Sequence, residues 1–353
     1  MIIRADAIEG LKTIESGIVD TCVTSPPYFG LRDYGTAKWL GGNADCDHVT
    51  QEIRTGLGLD ENGFSVRGGG HKVKNIDKIQ AKNICPKCGA VRSDNQIGIE
   101  DTPEEYIAKL VEVFREVRRV LRDDGTLWIV IGDSYAGSGK AGQSASMRSE
   151  NWQPRYVNKG KTYGIKPKDL IGIPWRLAFA LQSDGWYLRQ DIIWHKTNPI
   201  PESVTDRCTK SHEYIFLLSK SRRYYFDSDA IKEPAVSTDN SKRNRDETRL
   251  NNTPGRTRMS GLLKNDYVTR NKRDVWTVAT QPYKEAHFAV FPPKLIEPCI
   301  LAGSRTGGTV LDPFMGSGTT GVVAYTHGRE FIGIDLNPDY CTVAENRLMK
   351  MQD

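Results

Sequence analysis

The sequence predicts an α/β fold built on a parallel sheet, and three features carry that expectation. Residues 126–131 are apolar on both faces, the pattern of a strand covered by helices on either side. Just upstream, Ile107, Leu110, Val111, Phe114, Val117 and Leu121 recur at the spacing of one helix face. Far downstream, strand-like runs at 309–311 and 331–334 flank a glycine-bearing turn and a helix-forming stretch at 319–326, which repeats the strand–helix–strand alternation.

The first clear strand is 18–23, short, β-branched and apolar, and it runs into Pro26 and Pro27, which forbid further pairing. From residue 29 to about 96 periodicity is lost and Gly68, Gly69 and Gly70 occur in a row, so 36–96 is read as an insertion rather than core. Regular structure resumes at Thr102, an N-cap followed by Pro103 in the first turn and by Glu104 and Glu105, acids that suit the positive end of a helix. Asp123, Asp124 and Gly125 then turn the chain into 126–131. A Gly/Ser-rich stretch at 136–161 precedes a helix at about 175–183 and strands at 186–194 and 214–218. Residues 230–273 shift abruptly, with eleven basic residues against five acids and many Asn, Ser and Thr, a composition too polar for core. A helix over 292–301 leads into the last strand–helix–strand repeat.

With 353 residues and 38% hydrophobic content, the chain is expected to form one elaborated domain over 1–353 rather than two independent ones. Its formal charge of +5 suits a polyanionic partner. No apolar run approaches the roughly 18 residues of a membrane span, and the start lacks the regions of a signal peptide, so a cytoplasmic protein is expected. Seven cysteines, an odd number scattered along a long chain, argue for reduced thiols rather than a disulfide framework.

Two loops carry chemistry. The strand at 309–311 enters Asp312-Pro313-Phe314-Met315-Gly316-Ser317-Gly318-Thr319-Thr320, where the glycines allow a ligand to lie against backbone at the carboxyl end of a strand. Asp335, seventeen residues after Gly318 and at the end of the next strand, places a carboxylate where ribose hydroxyls can donate to it. The second loop is Thr24-Ser25-Pro26-Pro27-Tyr28. Its prolines stiffen a turn that aims the Ser25 hydroxyl and the Pro26 carbonyl at an amino group, while Tyr28 offers a ring for a base taken out of a duplex.

In this pairing and order the chain resembles the DNA amino-methyltransferases, in the permuted arrangement where the catalytic loop precedes the cofactor loop. The resemblance covers nearly the whole chain and implies a doubly wound, mostly parallel, seven-stranded sheet with one antiparallel strand. It implies catalysis by Ser25, Pro26, Pro27 and Tyr28, and S-adenosylmethionine held by Asp312, Phe314, Gly316, Gly318, Thr319, Thr320 and Asp335. By the same resemblance, Phe291 and Lys294 belong to a segment closing over the methionine part of the cofactor, and Asp6 lies near its adenine. A serine before Pro-Pro accompanies N4-cytosine methylation in that family, whereas aspartate accompanies N6-adenine and asparagine accompanies protein glutamine. Ser25 therefore favours N4 of cytosine in double-stranded DNA, with N6 of adenine as the alternative. Cytosine C5 methylation needs a cysteine nucleophile, and Cys299, although preceded by proline, falls on an expected helix and is read as packing.

The insertion adds Cys46 and His48 to Cys85 and Cys88, two short hooks with the ligand types of a structural zinc site. The single-residue gap between Cys46 and His48 is tight, and Asp47 or His71 are the alternatives for the fourth ligand. The basic segment 230–273 is the candidate for target recognition. Arg32, Asp33 and Tyr34 are placed near the entrance to the catalytic loop, and Lys196 and Asn198 are expected to touch DNA, with His195 structural. The competing readings are a methyltransferase acting on protein glutamine and a zinc-bearing nucleic-acid-binding protein without catalysis.

Overall fold

The computed structural model describes residues 1–34, 36–48, 84–137, 155–156, 162–235, 268–281 and 291–351, without the side chains of Arg32, Asp33, Arg155 and Tyr156. The chain clusters into two compact units, Met1–Arg32 with Ile97–Asp353, and Asp33–Gln96. In the smaller unit, Lys38–Leu40 pairs antiparallel with Val91–Ser93.

Among the described residues, the larger unit carries a sheet of eight strands: β1 (Ile2–Arg4), β2 (Val19–Thr24), β3 (Leu121–Ile131), β4 (Tyr187–His195), β5 (His212–Ser219), β6 (Val275–Thr277), β7 (Thr309–Asp312) and β8 (Glu330–Asp335). They lie in the order β1-β8-β7-β2-β3-β5-β4-β6. Only β5 is antiparallel to its neighbours, β3 and β4. The mostly parallel sheet with one antiparallel strand is as expected, but the implied count of seven becomes eight. The extra strand is β6, parallel to β4, with the Trp276 ring buried against the core and the Ile193 amide donating to the Asp274 carbonyl at 2.8 Å. It covers an edge of β4 that would otherwise present unpaired backbone groups.

Among the described residues, the helices flanking the sheet are α1 (Ala7–Lys12), α2 (Pro103–Val120), α3 (Ile173–Ser183), α4 (Pro293–Gly303), α5 (Thr319–Thr326) and α6 (Pro338–Met349). Strand alternation sorts them into two layers. Leu127, Ile129 and Ile131 of β3 join a core with α1, α2 and α3 residues, while Trp128 and Val130 join another with residues of α4, α5 and α6. Each fully buried Leu, Ile or Phe contributes about 1.5–3 kcal/mol, so β3, apolar on both sides, anchors the two layers together. Among the described residues, no helix is long and apolar enough to cross a membrane.

Helix α2 begins where expected, with the Thr102 hydroxyl accepting from the Glu105 amide at 3.2 Å and Pro103 in the first turn. Its end differs from expectation. Leu121 already belongs to β3, and the Asp123–Gly125 stretch loops out of the ladder instead of forming a separate turn, since Val19 pairs Leu121 but Thr21 pairs Thr126. Arg305 holds that bulge in place by donating to Asp20 at 3.2 Å and to Asp124 at 2.7 Å.

This winding decides where a site can form. The crossover from β2 to β3 runs through α2 on one face, and that from β7 to β8 runs through α5 on the other. Because β2 and β7 are adjacent and parallel, the chains leaving their carboxyl ends part in opposite directions and open a crevice there.

Candidate functional site

The loop after β2 carries Ser25, Pro26, Pro27 and Tyr28, and it is braced from several sides. The fully buried Tyr106 of α2 donates its hydroxyl to the Pro27 carbonyl at 2.8 Å, and the Gly30 amide donates to the Gly98 carbonyl at 2.7 Å. The Tyr28 hydroxyl donates to Glu213 Oε2 at 2.8 Å, and the Ser25 hydroxyl also reaches the Tyr28 oxygen. Glu213, at the start of β5, takes the Lys196 ammonium on its other oxygen at 2.5 Å. Space for this pair comes from Gly132 after β3, where a Cβ would lie 2.7 Å from the Tyr28 ring and 3.2 Å from the Glu213 carboxyl carbon. Burial, then the negative charge of Glu213, pushes the Tyr28 phenol well above its ordinary range, so it stays a neutral donor.

The loop after β7 is organised by two aspartates with different jobs. Asp335, at the end of β8, accepts from the Gly316 amide at 2.9 Å and from the Asn337 amide at 2.8 Å. Gly316 has φ +51, and a Cβ placed on it would meet nothing within 4 Å, so open space lies against bare backbone beside a carboxylate. Burial lifts the Asp335 carboxyl to about 6. The half-buried Phe314 belongs to the same loop. Asp6 reaches this end of the sheet as well, because β1 pairs β8 and the Ala5 amide donates to the Asp335 carbonyl at 3.2 Å; its carboxylate caps α1 by accepting from the Ile8 amide.

Asp312, Thr319 and Thr320, expected at the cofactor, make hydrogen bonds within and around the loop. Asp312 is 1% exposed and its carboxylate accepts from the Thr24 hydroxyl at 2.6 Å, the Thr320 hydroxyl at 2.7 Å and the Phe314 amide at 3.1 Å. It joins the strand end that carries Ser25 to the glycine loop and the start of α5. Thr320 is fully buried on Asp312, and the buried Thr319 hydroxyl accepts from Arg347 at 3.2 Å. These groups shape the loop from beneath.

Burial raises the Asp312 carboxyl to about 6, outweighing its three hydrogen bonds. The unfolded chain ionises this group near 4 while the folded chain keeps its proton to about 6, so the folded state binds more protons between those values. Stability from this group is therefore complete below about pH 4 and lost as pH rises through about 6, and Asp335 acts in the same window. Asp312→Asn keeps an acceptor for Thr24 and Phe314 and removes the charge. Urea unfolding of this variant across about pH 4 to 7 is expected to show a smaller stability loss with rising pH, by roughly 3 kcal/mol at most. An unchanged slope would show that Asp312 ionises without cost.

Phe291 is half-buried against the core beside α4, and Lys294 is exposed in the first turn of that helix; the residues just before Phe291, 282–290, lie outside the described residues. Cys299 is fully buried in α4 with its thiol pushed up by burial, in keeping with packing. Lys196 and Asn198, expected to touch DNA, are engaged internally: Lys196 holds Glu213 and lies 4.4 Å from the Trp194 ring centroid, and Asn198 exchanges hydrogen bonds with Thr280. His195 lies 3.3 Å from the Thr277 hydroxyl across the β4–β6 pair. Most of the basic segment 230–273 lies outside the described residues, as does His71. Of its described flanks, Arg270 and Arg273 both donate to Glu233.

In the smaller unit the Tyr34 amide donates to Gln96 Oε1 at 2.6 Å. There the ligand atoms of Cys46, His48, Cys85 and Cys88 all lie within 4.8 Å of one another. Asp47, the alternative fourth ligand, is drawn instead into an ion pair with Lys87 at 2.7 Å.

Sequence reasoning missed Tyr106 and Glu213, and it named Thr24 in the loop without its tie to Asp312. Glu213 and its neighbour His212 are polar residues opening an apolar strand, a pattern that reads as an ordinary strand end until β5 is placed beside β3.

The comparisons with known proteins agree with this geometry. A family model described as DNA methylase, of the N6/N4 type, matches residues 19–346. The chain is 43% identical over 349 residues to the type II methyltransferase M.SmaI of Serratia marcescens, covering 99% of this chain and 90% of that protein. It is 40% identical over 347 residues to the type II methyltransferase M.Cfr9I of Citrobacter freundii, covering 98% and 87%. Among solved structures, the cytosine-N4-specific PvuII DNA methyltransferase superposes with a TM-score of 0.54 at 15% identity, over 100% of this chain and 89% of that one. A Thermus thermophilus protein solved in complex with S-adenosyl-L-methionine superposes with a TM-score of 0.51 at 20% identity, over 99% and 95%. At these identities the structural likeness is one of fold.

Proposed function

Since the chain belongs to the DNA methylase family of the N6/N4 type, we propose that it transfers a methyl group from S-adenosylmethionine to N4 of a cytosine in double-stranded DNA. The enzyme class, a DNA amino-methyltransferase, follows from membership; the target base, the duplex and the roles of individual residues are the proposal. The observation that carries it is the meeting of the Ser25 loop and the Gly316 loop at adjacent strand ends, tied by the 2.6 Å bond from Thr24 to Asp312.

The cofactor, when bound, supplies a methyl group on an electron-poor sulfonium. The donor set fits it: Asp335 offers a carboxylate for ribose hydroxyls, Gly316 leaves backbone bare beside open space, and Phe314 supplies an apolar surface. Asp6, Phe291 and Lys294 are proposed to complete the cradle, and Gly318, Thr319, Thr320 and Asp312 to keep its loop in shape.

An exocyclic amine is a poor nucleophile because its lone pair is delocalised into the ring. Groups that accept hydrogen bonds from the amine favour the tetrahedral nitrogen of the transition state. The Ser25 hydroxyl and the Pro26 carbonyl take that role, since the Pro27 carbonyl is committed to Tyr106. Tyr28, tethered through Glu213 to Lys196, offers its ring to the extruded base. No histidine base and no covalent intermediate are needed. Ser25 rather than aspartate favours cytosine, and the relatives named type II methyltransferases favour an enzyme paired with a restriction activity.

The test is to incubate the protein with methyl-labelled S-adenosylmethionine and unmodified duplex DNA, digest to nucleosides and find the label by mass spectrometry. Label in N4-methyldeoxycytidine is expected. Label in N6-methyldeoxyadenosine would overturn the choice of base, and label on protein in place of DNA would overturn the choice of acceptor.

A further inference from the structure

We propose that Cys46, His48, Cys85 and Cys88 bind one zinc ion, and that the pairing of Lys38–Leu40 with Val91–Ser93 depends on this ion. Three thiols and an imidazole are the soft and borderline donors that zinc prefers over hard cations. Their spacing fits. A tetrahedron with ligands about 2.1–2.3 Å from its centre has edges of about 3.4–3.8 Å. The Cys46 and Cys85 sulfurs lie 3.9 Å apart, the Cys88 sulfur and His48 Nδ1 lie 3.3 Å apart, and no pair exceeds 4.8 Å.

The backbone explains how residues about forty positions apart converge. At one hook the Gly89 amide donates to the Cys85 carbonyl and the Cys85 amide to the Ala90 carbonyl, both at 2.8 Å, which curls Cys85 and Cys88 toward one point. At the other, the His48 amide donates back to the Cys46 carbonyl at 2.8 Å. That tight reversal allows a single intervening residue to suffice where two to four are usual. Asp47, at the tip, turns outward to Lys87, so the hooks are also linked by an exposed ion pair of small worth.

Two further features point to a centre that organises its surroundings. Gly42 has φ +75, and a Cβ there would sit 2.8 Å from the Cys88 sulfur and 2.7 Å from the Ala90 side chain, so only glycine leaves the sulfur its place. Among the described residues of 33–96, the only buried apolar side chains are Cys85 and Ala90. Three-residue strands with so little buried apolar surface among the described residues gain little from packing, whereas a closed four-ligand metal site supplies folding free energy directly. With all four positions taken by protein, no site remains for catalysis, so the ion is structural.

The test uses the full chain purified from zinc-containing medium and dialysed against a weak chelator. Metal analysis is expected to give one zinc per chain, falling to background in the Cys85→Ser, Cys88→Ser double variant and in His48→Ala. His48→Cys should keep the ion, because a thiolate replaces an imidazole. In the cobalt-substituted protein, thiolate-to-metal charge-transfer bands and intense tetrahedral ligand-field bands should appear, and the His48→Cys variant should shift them. Stripping the metal with a strong chelator should expose 33–96 to limited proteolysis while S-adenosylmethionine still binds, which separates this site from the methyl-transfer reading. Zinc-free chain, iron in place of zinc, or full zinc in the double variant would each overturn the proposal.

Discussion

Ser25→Ala is expected to lower the rate of methyl transfer by about two to three orders of magnitude while leaving cofactor affinity within about twofold, the range found when one preorganised transition-state hydrogen-bond partner is removed. The asymmetry follows from when the bond matters. In the ground state the amine is planar and its hydrogens are weakly polarised. As nitrogen attacks, positive charge gathers on it, and an acceptor held in place gains strength without having to reorganise. Ser25 is held in place, on a turn stiffened by two prolines, with Pro27 tied to Tyr106 and Tyr28 tied to Glu213. The loss should therefore fall on kcat rather than on KM for DNA, and single-turnover measurements keep product release from hiding it. An unaltered single-turnover rate, or a loss confined to cofactor binding, would remove Ser25 from the chemistry.

The second large effect is expected at Asp335. Replacing it with alanine removes the acceptor proposed for the ribose hydroxyls and also frees the Gly316 amide it holds at 2.9 Å. Two hydrogen bonds to a charged group, at about 1.5–3 kcal/mol each, correspond to a fall in cofactor affinity of at least about a hundredfold. Titration calorimetry with S-adenosylmethionine or its demethylated product measures this directly. The wild-type protein carries a companion signature. Its Asp335 carboxyl, lifted by burial to about 6, loses an acceptor when protonated, so affinity should weaken as pH falls through about 6 and level off above it. Asp335→Asn should bind weakly with no such dependence. Affinity insensitive both to the alanine change and to pH would place the ribose elsewhere.

The smaller unit shows why a motif can be legible where its geometry is not. Cys85 and Cys88 announce a hook by their spacing, yet Cys46 and His48 are separated by one residue, which left Asp47 and His71 as alternatives for the fourth ligand. The backbone reversal at Cys46–His48 and the outward turn of Asp47 decide among the described candidates, and neither leaves a mark in composition.

Features that rest on local physics were legible in residue type and spacing alone. Apolar runs on both faces of 126–131 require a doubly covered strand, Thr102 and Pro103 start a helix, Pro26 and Pro27 end a strand, and Gly316 marks backbone open to a ligand. These are near-neighbour effects of side-chain shape and hydrogen bonding, so they survive without knowledge of the fold. Tertiary structure alone decided which distant groups meet. It set β7 beside β2 and so brought Asp312 under both loops as their tie. Pairing β5 antiparallel with β3 placed Glu213 against Tyr28, and adding β6 at the edge gave Trp276 a core to enter. A buried carboxylate is costly until its partners arrive, and those partners lie far from it in the chain: Thr24 is 288 residues from Asp312, and Tyr28 is 185 from Glu213.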